Sequence, residues 1–125
     1  MTDIMQEIYE IIQKRKDSDD EKSYTAYLFR EGLDKILKKI AEESGETIIA
    51  AKSLEAAQKD GAAGTGSCID DDTKNEVTEK LRSDLNNEIC DLLYHLLVLL
   101  AERDIPLCEV EAILKERSLK TGNLK

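Results

Sequence analysis

Four carboxylates stand in two pairs of equal spacing: Glu43 with Glu46, and Glu88 with Asp91. Residues three apart on a helix project from one side, so each pair can aim two acidic groups in one direction. Two such pairs facing each other would crowd four negative charges, which is costly unless a cation is bound. Mg²⁺ is suited to hard oxygen ligands, takes few protein carboxylates and leaves positions open for water and phosphate. This arrangement would serve phosphoryl chemistry. On spacing alone, chance pairing among 27 acidic residues is the better account. Weighing against it, Glu88 and Asp91 border the greasy run DLLYHLLVLL, where acids have few reasons to occur.

Lys39 lies one turn before Glu43 and is the best-placed cation for a terminal phosphate. Arg30, Lys35, Lys38 and Lys52 also flank the first pair, but helix-surface pairing with glutamates accounts for most of these. His95, four residues after Asp91, is expected as a hydrogen-bonded histidine at the core edge rather than a ligand. Tyr24 and Tyr27 offer rings and hydroxyls to a base or ribose, although tyrosines at a helix start more often pack. Cys90, beside Ile89, is expected to be a buried, unreactive thiol. Gly64-Thr65-Gly66-Ser67 lacks the Gly-Lys-Ser/Thr ending and the preceding strand of a phosphate-binding loop.

The elements that must position these residues are helical. Ile4, Ile8, Ile11 and Ile12 predict an amphipathic helix over 3 to about 16, ended by DSDDEKS. A short helical turn from Tyr24 to Arg30 leads to Gly32. Leu33, Ile36, Leu37, Ile40, Ser44, Ile48 and Ala51 then form one stripe of a helix over about 33 to 58. Glu43 sits roughly 90° from the centre of that stripe, at the edge of any interface it makes. Residues 59 to 72, KDGAAGTGSCIDDD, read as a loop. Thr73 and Glu76 have capping-box spacing, and Val77, Leu81, Leu85, Ile89, Leu92, Leu93 and Leu96 continue a helix over about 74 to 102. Asp104 and Pro106 stop the chain and restart it, Leu107, Val110, Ile113 and Leu114 mark a last helix, and a tail at 118 to 125 is expected to fray. The expected fold is all-α, a bundle of four or five helices around two long antiparallel ones.

Bulk properties agree. The 125 residues fit a single domain, with 41% hydrophobic and 36% charged residues, no Trp and one Pro. A formal charge of −9 argues against nucleic acid as the main partner, because its binders carry a basic face. Three scattered cysteines cannot close a complete disulfide framework, which favours the cytoplasm. The start MTDIMQEIYE is not that of a signal peptide, and no apolar run approaches the roughly 18 residues of a membrane span.

Two stretches carry a resemblance. SYTAYLFREGLDKILKKIAEESGETIIAAK (23 to 52) is similar to an S-Y-T start followed by K-[VI]-G-E-E-x-x-E, and NEICDLLYHLLVLLAERDIPLCEV (87 to 110) to E-x-x-D-L-[LM]-Y-H-L-L-V-L-L. These are the marks of the phosphoribosyl-ATP pyrophosphatases, a branch of the MazG-like all-α nucleoside triphosphate pyrophosphatases. The resemblance covers most of residues 4 to 117 and leaves out roughly 59 to 80, which looks like an insertion. Ala41 stands where the family commonly has Gly, a change that favours helix slightly.

The resemblance implies a MazG-like bundle completed as a homodimer, and hydrolysis of 1-(5-phosphoribosyl)-ATP to 1-(5-phosphoribosyl)-AMP and pyrophosphate in histidine biosynthesis. It further implies Mg²⁺ on Glu43, Glu46, Glu88 and Asp91. Glu42 adjoins them, to orient a ligand or help activate water, and Lys39, Tyr24 and Thr25 bind substrate. With no cyclohydrolase segment in the sequence, a stand-alone form is expected. Two alternatives stay open: a housekeeping pyrophosphatase of the same superfamily acting on other nucleoside triphosphates, and a non-catalytic helical dimerisation module, which explains the leucines but not the paired acids.

Overall fold

The computed structural model describes residues 3–62 and 71–125. Among them are five helices and no strand: α1 (Ile4–Arg15), α2 (Tyr24–Glu31), α3 (Leu33–Ala62), α4 (Asp71–Glu102) and α5 (Leu107–Ser118). The fold is all-α, as expected. Two compact units divide the chain, Met1–Leu37 with Tyr94–Lys125, and Lys38–Leu93.

The first unit holds nearly all the buried core. Tyr9, Ile12, Ala26, Leu28, Ile36, Leu97, Val98, Ala101 and Leu107 are buried there, with polar Thr25 and His95 among them. Ser23 starts α2 by accepting a hydrogen bond from the Ala26 amide at 3.1 Å, which satisfies one of the donors that a helix start leaves unpaired. Gly32 then separates α2 from α3 at φ 94°, a left-handed conformation that a side chain would strain. Asp104 takes φ 56° to end α4, with the Ile105 amide reaching back to the Leu100 carbonyl at 2.9 Å. α1 seals this end. Lys16 Nζ donates to the Ala101 carbonyl and to Asp104, each at 2.8 Å, and the Tyr9 hydroxyl donates to the Ile105 carbonyl at 2.7 Å. The cation adds a second donor to a carbonyl at the helix end that the Asp104 amide also reaches, at 3.2 Å.

The second unit is an α3–α4 hairpin. A groove along it is lined by Glu46 and Glu88 at one end and by Ser53 and Leu81 at the other, so the two helices run antiparallel here. Its one buried residue among those described is Glu43, while Ile48, Ile49 and Val77 are exposed.

Four expectations need correction. Residues 59–62 and 71–72 are helical rather than loop, and Thr73 lies inside α4 instead of capping it. Asp72 suits a first turn, where an acidic residue complements the helix dipole. Residues 63–70, with the Gly64–Ser67 run and Cys68, lie outside the described residues. In α1 the buried positions are Tyr9 and Ile12, whereas Ile4 and Ile11 are largely exposed. Lastly, Cys90 is exposed, because it lies two residues, roughly 200° around the helix, from Glu88, which faces α3.

Candidate active site

Glu43 and Glu46 come from α3, and Glu88 and Asp91 from the antiparallel stretch of α4, which places the two acidic pairs opposite each other within the hairpin. Carboxylate oxygens of Glu43, Glu88 and Asp91 all lie within 4.8 Å of one another. Glu46 is outside that triad but hydrogen-bonds Glu88. Glu43 is buried, Glu88 partly so and Asp91 exposed, a gradient that opens the cluster to solvent on one side.

The electrostatics are those of an acidic site short of positive charge. The Glu88 carboxyl is pushed up to about 7, first by sharing a hydrogen bond with Glu46, then by burial and by the negative charges of Glu46 and Glu43. Two carboxylates this close hold a proton between them when nothing else neutralises them. Oε2 of Glu43 and Oε2 of Glu88 are buried and have no hydrogen-bond partner, an arrangement that native proteins seldom leave uncompensated. A hard divalent cation fits: the donors are all carboxylate oxygens, and the two orphaned ones would gain a partner.

Lys39 lies at the edge of the cluster, 3.1 Å from Glu42 Oε2 and 3.6 Å from Glu43 Oε1. Its side chain is a quarter exposed. Glu42 itself is exposed. Lys52 pairs with Glu55, the ordinary helix-surface pairing.

Tyr24 and Thr25 belong to the first unit, at the head of α2. Thr25 is buried and hydrogen-bonds the Tyr94 hydroxyl, and Tyr24 Oη lies 2.9 Å from His95 Nε2. His95 is buried and hydrogen-bonded to Tyr24, as its sequence context predicts. The pairing of Tyr94-His95 with Tyr24-Thr25 was not legible in advance. Its trace is the polar Tyr-His dipeptide inside D-L-L-Y-H-L-L.

A helical hairpin that gathers carboxylates from both arms around an opening to solvent defines a class of acidic, cation-seeking all-α sites. The chain belongs to the phosphoribosyl-ATP pyrophosphohydrolase family, whose profile matches residues 5–118. It is 36% identical over 123 residues to a phosphoribosyl-ATP pyrophosphatase of Clostridium novyi (strain NT), spanning 98% of this chain and 88% of that protein. Proteins of the same name from Clostridium botulinum (strain Hall) and Listeria welshimeri serovar 6b are 41% and 42% identical over 122 residues, spanning 98% of this chain and 87% and 92% of theirs.

Proposed function

We propose that the chain hydrolyses 1-(5-phosphoribosyl)-ATP to 1-(5-phosphoribosyl)-AMP and pyrophosphate, the second step of histidine biosynthesis, and that it requires Mg²⁺. The observation that carries this is the Glu43–Glu88–Asp91 cluster with its two unpartnered buried oxygens, in a chain of this family.

Glu43, Glu46, Glu88 and Asp91 hold the cation, which, when bound, supplies positive charge to the departing pyrophosphate and acidifies water. Water adds to phosphorus across the α–β anhydride, that bond breaks, and pyrophosphate leaves. Glu42 is the carboxylate assigned to orient that water or accept its proton. Lys39 exchanges its contacts with Glu42 and Glu43 for a terminal phosphate. Tyr24 and Thr25 bind the substrate.

The protein works as a homodimer in the cytoplasm. Support for the dimer is the exposed apolar surface of the hairpin, where Ile48 and Ile49 are 64% and 67% accessible, since exposed apolar residues that cluster mark association surfaces. Among the described residues no helix is long and apolar enough to cross a membrane.

The test is pyrophosphate release from 1-(5-phosphoribosyl)-ATP and from a panel of ordinary and modified nucleoside triphosphates, each with Mg²⁺ or EDTA. Mg²⁺-dependent turnover of the first alone is expected. Turnover mainly of the panel moves the chain to a housekeeping role, and no release from any substrate leaves a helical module without catalysis.

A further inference from the structure

Tyr94 and His95, adjacent on α4, each hold a hydroxyl-bearing side chain of α2. Thr25 and Tyr94 share a short hydrogen bond between their hydroxyls, and Tyr24 Oη meets His95 Nε2 at 2.9 Å. His95 also lies edge-on to Tyr24, at 5.8 Å between ring centres, and to Tyr94, at 5.0 Å. Tyr24 stacks on Tyr27 at 6.1 Å with 30° between the planes, and Tyr94 lies tilted beside Tyr24 at 6.3 Å and 31°.

Burial divides this cluster. Thr25 and His95 are 5% and 4% accessible, whereas Tyr24 keeps 45% of its surface open. A buried imidazole costs free energy unless it is hydrogen-bonded, and a leucine would fill the volume without that cost. One partner of this polar group is the hydroxyl of a half-exposed ring. Fixing one end of that ring leaves its open surface in a single orientation, which lowers the ordering cost when a ligand settles on it.

We propose that His95, supported by Tyr94, is a positioning residue: it anchors the Tyr24 hydroxyl so that the exposed Tyr24 ring, already stacked on Tyr27, receives the aromatic base of the nucleotide substrate. This rests on the functional reading above. Base–aromatic stacking needs only a presented π-face, and offset stacks of this kind extend readily by one more ring.

The test compares His95→Leu, which removes the anchor at similar volume, with His95→Gln, which keeps a polar group for the hydroxyl. For His95→Leu the KM for 1-(5-phosphoribosyl)-ATP is expected to rise about tenfold while kcat changes less than about threefold, the split expected when binding alone is weakened. His95→Gln should recover most of the loss. A lowered melting temperature with KM unchanged indicates a merely structural histidine and overturns the proposal. Should His95→Leu fail to fold, Tyr24→Phe severs the same bond from the ring's side, and its KM decides.

Calorimetric titration with ATP and Mg²⁺ runs in parallel. If the wild-type chain does not turn over 1-(5-phosphoribosyl)-ATP, the functional reading falls. An ATP affinity about tenfold weaker in His95→Leu then still upholds the anchor. Equal affinity in both proteins, or no ATP binding by the wild type, overturns it.

Discussion

Glu43 and Glu88 have the same deficit: each buries its Oε2 atom without a hydrogen-bond partner, and the two residues converge with Asp91 in one 4.8 Å set. In a closed apolar core such atoms would be a defect, costing about 1–3 kcal/mol apiece. At the edge of an open acidic hairpin they are the oxygens that the proposed cation would engage.

Asp91→Asn is expected to lower kcat/KM about a hundredfold or more, since a positioned cation contributes several kcal/mol to phosphoryl transfer. Calorimetric melting should lose its Mg²⁺-dependent rise in the same variant, because less cation binds the folded state. Full activity together with an unchanged Mg²⁺ response would remove Asp91 from the site.

The acid–base behaviour of Glu88 has a definite sign. Its carboxyl is raised from 4.5 to about 7 in the folded chain, so the folded state binds a proton more tightly than the unfolded one. The stabilisation is full below the unfolded value and is lost as pH rises through about 7. Magnesium binds the deprotonated form, so its apparent affinity should weaken as pH falls below that point. Mg²⁺ titrations on either side of neutrality check this, and Glu88→Gln should flatten the profile.

Core substitutions should separate the units. Ile36 is fully buried, and Ile36→Ala is expected to cost about 2–5 kcal/mol in denaturant unfolding. Ile48→Asp adds a charge to the exposed apolar face of the hairpin and should shift sedimentation from dimer towards monomer. A dimer that persists in this variant places the interface elsewhere.

At the end of α4, Tyr9→Phe removes the donor to the Ile105 carbonyl and should cost about 1 kcal/mol. The Tyr9 hydroxyl is raised above 10.0, mainly by burial, and Tyr94 is raised for the same reason. The stability they contribute is complete below the unfolded value and is lost as pH climbs through the folded one. Ultraviolet titration should therefore find these two tyrosines ionising late.

Much of this was legible in the residues. Helical periodicity marked four of the five helices, with α2 read only as a short helical turn, and the equal spacing of Glu43–Glu46 and Glu88–Asp91 marked the pairs that the hairpin sets opposite each other. What escaped depends on direction and partners. Periodicity says which side of α1 is apolar, but Tyr9 is buried in place of Ile11 because its hydroxyl finds the Ile105 carbonyl, ninety-six residues away. The same holds for Cys90, judged from Ile89 beside it although neighbours on a helix point about 100° apart. The burial of Glu43, the feature that makes its oxygen an orphan, has no sequence signal except its place at the stripe's edge.

The division of labour between the two units has a consequence for how the chain tolerates change. All the buried apolar side chains among the described residues lie in the first unit, and the second buries a carboxylate. Random substitutions should therefore fall into two phenotypes by position. Those in the first unit deplete folded protein, while those around the acids yield abundant, well-behaved, inactive protein. An evolving lineage could then retune the chemistry of the hairpin with little risk to the fold that carries it.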